Sequence, residues 1–298
     1  MAPPAVGRPP RKEDKRSAGL SVPLWGLVVP ALALVMLLVI VGQQPDGRLH
    51  LWVLDVGQGE AILLRTPQGH TALVDGGPGS TPLLNGVGVH LPFWQHNLDL
   101  VVLTRPVQDR LVGLVDLVGR YDVGQVVQTE YTATGGVQAQ WLRLLHSRHV
   151  PVHYATRGER ITFEGEPDIA LQVLSPSEAR DGPVVLRLTY ASHGILIGGD
   201  ARDKDETEMV SYKGDGLGSQ VLVVGHFGAH DATTPRFLSA VSPKVAIISA
   251  GAGNRFNYPS PETLDALRAA GALVYRTDLN GTVEIIADRD RLWVKAER

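Results

Sequence analysis

Short apolar runs recur from Leu49 to Ala287, each about the length of one strand and each closed by turn-forming residues. In order they read LHLWVL, EAILLRT, TALVD, LVVLT, QVVQT, IALQVL, VVLRLTY, GILIGG, QVLVVGH, KVAIIS, ALVYRT and TVEIIA. Helical spacing is scarcer. QDRLVGLVDLVGRY sets Leu111, Leu114, Val115 and Val118 at helical intervals, and QAQWLRLLHS is amphipathic. TPRFLSAV offers Thr234 as a cap with Pro235 at the first helical position. SPETLDALRAAG opens on Ser260 and Pro261 and ends at Gly271. Strands first and helix–strand alternation later predict two sheets with helices outside them, an α/β (α+β) fold. Neither a repeat nor a second domain boundary interrupts residues 44–298, so one domain is expected there.

The N-terminal region is of a different kind. Ser21 to Gly42, SVPLWGLVVPALALVMLLVIVG, carries no charge. As a helix it is about 30 Å long, the thickness of a bilayer core, and Pro30 is tolerable within it. Arg8, Arg11, Lys12, Lys15 and Arg16 precede it against Glu13 and Asp14. The sequence therefore predicts a basic cytoplasmic tail (1–20), one transmembrane helix (21–43) and an extracytoplasmic domain, a single-pass protein of the cell membrane. A cleaved secretory signal is the competing expectation, but no small-x-small site precedes GQQPDG.

The chain of 298 residues has no cysteine, which excludes disulfides and thiolate metal sites. A formal net charge of −3 argues against a surface that coats nucleic acid, although a local basic patch is compatible with it. Neither a P-loop, a dinucleotide fingerprint nor a nucleophile elbow is present, so no nucleotide cofactor is expected. DGGPGS and GAGN read as turns. His146, His149 and His153 in HSRHVPVH read as solvated surface after a helix.

Chemistry concentrates where the strand VVLT runs into Arg105, Pro106, Val107, Gln108, Asp109 and Arg110. LDVGQGEAILLRTPQGHTALVDGG (54–77), LDLVVLTRPVQDRLVGL (98–114), HGILIGGDA (193–201), VLVVGHFGAHDATTPRFLSAVSPKVAIISAG (221–251) and NYPSPETLDALRAAGALVYRTDLNGTVEI (257–285) follow one another in this order. Together they resemble the metallo-β-lactamase-fold domain of the ComEC-type competence (DNA-uptake) proteins, over residues 49–294. The resemblance implies an αββα sandwich with a site at one edge of the paired sheets, and hydrolase or nuclease chemistry with zinc or manganese. It also implies partners near DNA-uptake machinery: DNA, or a polytopic channel protein supplied by another chain.

The ligand pattern that the resemblance implies transfers poorly. The family's His-Pro-Asp-Ala-Asp-His loop falls on residues 105–110, where Asp109 alone keeps a ligand type between Arg105 and Arg110. Asp200 matches the bridging carboxylate, His226 keeps one of two histidines, and Phe227 stands in place of the other. Tyr258 and Ser260 occupy positions where histidines are usual. Three arrangements remain open. Asp109, Asp200 and His226 hold one ion, zinc or manganese, and the site still hydrolyses. Arg105 and Arg110 instead neutralise the two aspartates as a salt-bridge cluster without metal. Or Arg105, Arg110 and His226, with His230 nearby, leave a positive pocket for an anion such as phosphate. Asp55, Gln58, Glu60 and Asp75 are expected to serve loop structure through backbone hydrogen bonds.

Overall fold

The computed structural model describes Gly7 and residues 25–130, 135–176 and 182–298. The basic tail and residues 21–24, where the expected membrane span begins, lie outside the described residues. The chain divides after Gln43 into two units. In the first, helix α1 (Trp25–Gly42) has 18 residues and contains Pro30. Among the described residues no helix is long and apolar enough to cross a membrane. The described helix is about 27 Å long at 1.5 Å per residue, short of the span expected from Ser21.

The second unit is a four-layer sandwich. Strands β1 (Leu49–Val53), β2 (Ile62–Arg65), β3 (Thr71–Val74), β4 (Asn97–Leu103), β5 (Asp122–Gln128) and β6 (Val152–Tyr154) belong to the first sheet. Strands β7 (Arg160–Phe163), β8 (Glu166–Ser175), β9 (Val185–Tyr190), β10 (His193–Ile197), β11 (Val221–Val223), β12 (Val245–Ile248) and β13 (Leu273–Arg276) form the second. The chain then returns to the first with β14 (Val283–Ala287) and β15 (Leu292–Ala296). The orders are β15-β14-β1-β2-β3-β4-β5-β6 and β13-β12-β11-β10-β9-β8-β7.

Side chains facing inward from both sheets, among them Leu51, Val53, Val102, Leu171, Leu186, Ile195 and Ile285, form the central core. Helices α2 (Ser80–His90), α3 (Gln108–Arg120) and α4 (Gly136–Ser147) cover the first sheet through Leu83, Leu111, Leu114 and Trp141. Helices α5 (Asp203–Lys213), α6 (Pro235–Val241) and α7 (Pro261–Ala269) cover the second through Met209, Phe237 and Leu267; a short α8 (Thr277–Asn280) precedes β14. The α6 and α7 caps are those read from sequence: Thr234 accepts from Phe237 N–H, and Ser260 accepts from Thr263 N–H. The fold is thus the mixed two-sheet sandwich that the strand pattern predicts, with α2, α5, α8, β6, β7 and β15 added to the elements legible in it.

One close approach seats the site. Helix α3 crosses the loop after β3 so tightly that a Cβ on Gly113 would lie 1.9 Å from the Gly76 carbonyl oxygen. Gly76 N–H donates to the Arg110 carbonyl at 2.7 Å across the same crossing. Gly113→Ala is therefore expected to push α3 off this loop and to cost about 1–3 kcal/mol, read as a lower urea midpoint. An unchanged midpoint would show that the crossing has slack.

Candidate functional site

Strands β3, β4, β10, β11 and β12 all end at one rim, and the loops that leave them meet across the two sheets. The turn after β1 is tied to the second sheet there. Ser249 Oγ donates to Gly59 O at 2.7 Å, and Gly251 N–H donates to Gln58 Oε1 at 3.0 Å.

Arg110 stands in the middle of this rim, completely buried. Its Nη1 donates to Glu60 Oε2 and, at 2.8 Å, to Asp75 Oδ2; its Nη2 donates to Gly199 O at 3.0 Å and lies 3.5 Å from Asp200 Oδ1. The Phe227 ring covers the guanidinium with its centroid 4.8 Å from Cζ, a cation–π contact. Asp75 also accepts Thr104 N–H at 2.8 Å and the Thr104 hydroxyl at 2.6 Å. Arg105, at the mouth, donates to Asp200 Oδ2 at 2.8 Å. Asp200 therefore has one arginine against each oxygen.

Burial pushes the Glu60 carboxyl up to about 7 and the Asp75 carboxyl up to about 6, in each case against the pull of Arg110. Burial also works against the charge of Arg110, but Glu60, Asp75 and Asp200 outweigh it and hold the guanidinium well above its ordinary value. Burial raises Asp109 too, opposed by Arg110 and helped by Asp200; its Oδ1 is buried without a hydrogen-bond partner.

His226 and Phe227 both have left-handed backbones, at φ 46° and 58°. Such angles are uncommon for residues with a Cβ and persist where surrounding contacts hold them. Here the turn aims Phe227 inward onto Arg110 and leaves His226 between Asp231 and Arg202. His226 Nδ1 is 3.0 Å from Asp231 Oδ1, and its Nε2 is 3.1 Å from Arg202 Nη2. An arginine can only donate, so Nε2 accepts and the ring proton sits on Nδ1, facing Asp231. Mild burial pushes the Asp231 carboxyl up, but the His226 hydrogen bond and the Arg202 charge hold it below its ordinary value. Tyr258 packs 5.7 Å from the His226 ring, and Phe256 stacks on Tyr258 at 5.6 Å. His230 is exposed.

The residues singled out from sequence are thus distributed unevenly. Arg105, Arg110 and Asp200 share direct contacts; Asp109 and His226 stand near them; His230 points to solvent. Arg110 does not bridge Asp109 and Asp200: its principal partners are Glu60 and Asp75, which sequence reasoning assigned to backbone support. A carboxylate directly after GQG has no partner legible nearby, and Arg110 lies 50 positions away. Arg202 was missed, and Phe227 was read only as the loss of a histidine. The signal for Phe227 was present, because it and Arg110 both stand where the family pattern has histidine, and here they touch each other.

In the arrangement seen here these side chains are engaged with one another rather than presented to an ion. Among the described residues no group of three or more His, Asp or Glu side chains is arranged to hold one. His226 has both ring nitrogens engaged and Asp200 has both oxygens engaged, which leaves Asp109 as the free donor of the three. A divalent ion on Asp200 would stand within about 5 Å of the Arg105 guanidinium, a repulsion of several kcal/mol even at an effective dielectric near 20.

No known protein-family profile matches the chain. It is 30% identical over 265 residues to a protein described as competence protein ComA of Neisseria gonorrhoeae, covering 85% of this chain and 34% of the relative. It is 26% identical over 253 residues to ComE operon protein 3 of Bacillus subtilis, covering 78% of this chain and 32% of the relative. The chain therefore spans about a third of the length of these relatives. Among solved structures, the metallo-β-lactamase fold protein YhfI of Bacillus subtilis superposes with a TM-score of 0.52 at 12% identity, over 82% of this chain and 99% of that one. CmlA, a diiron β-hydroxylase of Streptomyces venezuelae, superposes with a TM-score of 0.52 at 16% identity, over 82% of this chain and 54% of that one.

Two packed sheets flanked by helices, with loops converging at one rim, make this a metallo-β-lactamase-fold domain. By sequence it is homologous to the corresponding region of the ComEC-type competence proteins.

Proposed function

We propose that the chain is a membrane-anchored, ComEC-like domain whose metal site has become an arginine–carboxylate cluster, and that it binds or scaffolds near DNA-uptake or envelope machinery. The observation that carries this reading is Asp200, held by Arg105 at 2.8 Å and by Arg110 at 3.5 Å. A carboxylate neutralised in this way keeps the loop architecture of the fold without an ion. Its partners on this reading are the membrane and either DNA or a polytopic channel protein. The N-terminus lies in the cytoplasm and the domain outside. The apolar, charge-free sequence of α1 and the basic residues before it support that placement. Proteolysis of intact spheroplasts tests it: protection of the domain from added protease would reverse the topology.

A second reading, a divergent phosphodiesterase or nuclease using Asp109, Asp200 and His226, is favoured by the unpartnered Oδ1 of Asp109. The two readings part on metal. After incubation with zinc or manganese and desalting, elemental analysis of the purified chain is expected to find no stoichiometric ion. About one equivalent, lost in Asp109→Ala, Asp200→Ala and His226→Ala, would overturn the first reading and make the hydrolase reading the one to pursue with DNA and phosphodiester substrates.

A further inference from the structure

The end of the sandwich opposite the candidate site carries a surface that neither reading uses. Strands β1, β3 and β4 begin there, at Leu49, Thr71 and Asn97, and α2 and α4 run down to it. The α2–β4 connection, LPFWQH, buries Leu91 and Pro92 and thrusts out the next two residues. Phe93 is 59% exposed and Trp94 41% exposed, with the rings edge to face at 4.8 Å.

Around this pair the ends of the neighbouring helices are basic. The His96 ring lies 5.8 Å from Tyr121, directly after the exposed Arg120 that ends α3. Arg148 follows α4, donates to the Gly119 carbonyl and lies 3.6 Å from Asp122. His146 and His149 are exposed beside it. Two large exposed aromatic rings, at the end of the domain that also carries Arg120 and Arg148, match a lipid–water interface, where rings sit at headgroup depth and guanidinium groups meet phosphates.

The chain also enters the domain at this end, through Gln44 to Arg48, with Pro45 against the turn at Gly69. Residues 43–48 separate α1 from β1, and at full extension they reach roughly 20 Å. The anchoring proposed above, on which this inference rests, attaches the chain to the membrane through this same end.

We propose that Phe93 and Trp94 insert into the interface of an anionic bilayer, with Arg120 and Arg148 on headgroup phosphates, so that the candidate site points away from the membrane.

The chain has no cysteine, so a nitroxide can be placed at one position at a time. Phe93→Cys, Trp94→Cys, Phe256→Cys and Leu38→Cys variants of the full chain would be reconstituted in vesicles of phosphatidylethanolamine with phosphatidylglycerol. Power-saturation measurements then compare collisions with oxygen against collisions with a water-soluble nickel chelate. Labels at 93 and 94 are expected to favour oxygen and the label at 256 to favour nickel. Arg120→Glu combined with Arg148→Glu, or vesicles of phosphatidylcholine alone, should return the label at 93 to water. The label at 38 reports the anchor by itself. Lipid exposure at 38 with water exposure at 93 and 94 would overturn the bilayer face and leave the anchoring intact. Water exposure at 38 with lipid exposure at 93 and 94 would overturn the anchoring and support the face. Shielding at 93 from both reagents would mean that protein covers these rings, and would also overturn the proposal.

Discussion

Arg110→Met is expected to destabilise the domain by about 3–5 kcal/mol, the usual cost of removing one partner from a buried ionic cluster. The substitution keeps most of the side-chain volume and removes the charge. Glu60 and Asp75 would then face each other in a buried site, each without the guanidinium that it meets here. Phe227, whose left-handed turn packs its ring on the guanidinium, would lose that contact as well. A single domain has only about 5–15 kcal/mol in total, so urea unfolding should show a much lower midpoint or no folded baseline. The companion variant separates charge from packing. Glu60→Gln with Asp75→Asn and Arg110→Met removes the stranded charges, and replacing a whole buried ionic cluster by neutral groups is often close to neutral. The triple variant should therefore be more stable than Arg110→Met alone. If the single variant loses less than about 1 kcal/mol, the range of an exposed pair, the cluster does not organise the rim.

The second large effect is on pH. Glu60, with a folded value of about 7, and Asp75, with a folded value of about 6, both stand above their unfolded values of 4.5 and 3.8. Between those limits the folded state holds more protons than the unfolded state. Stability from this pair is therefore fully present below about pH 4 and is lost as pH rises through 6 to 7. The loss is on the order of 3 kcal/mol for each carboxyl, opposite in sign to that of an ordinary paired carboxylate. Thermal unfolding from pH 5 to pH 8 should show the midpoint falling. Glu60→Gln, which carries the neutral form at every pH, should flatten most of that fall. A midpoint that rises over this range in the wild type, or a slope unaltered in Glu60→Gln, would mean that Glu60 stays ionised throughout.

The two sheets were legible because most of their strands are buried on both faces and so read as continuous apolar runs. β6 was not, because Val152, His153 and Tyr154 are all exposed at a sheet edge and carry no burial pattern. α2 was hidden because it contains Gly86 and Gly88, poor helix formers, and buries only Leu83 and Val87. α5 was hidden by its polarity: DKDETEMVSYK buries Glu206 and Met209 only, and Glu206 serves to accept the N–H groups of Thr233 and Thr234.

The site was half legible. The replacement of histidines by Arg105, Arg110 and Phe227 can be read along the chain, and so can the survival of Asp109, Asp200 and His226. Which carboxylates Arg110 would meet cannot be read there. Glu60 comes from the turn after β1, Asp75 from the end of β3 and Gly199 from the end of β10, at sequence separations of 50, 35 and 89 residues. Local pattern thus determined the strands, the helix caps and the chemical types at the rim, because each depends on residues within a turn or two of one another. The partners of each charge were decided by the tertiary structure alone. A buried guanidinium must be matched by whatever acceptors the fold brings within about 3 Å of it, and here those acceptors arrive from strands of both sheets.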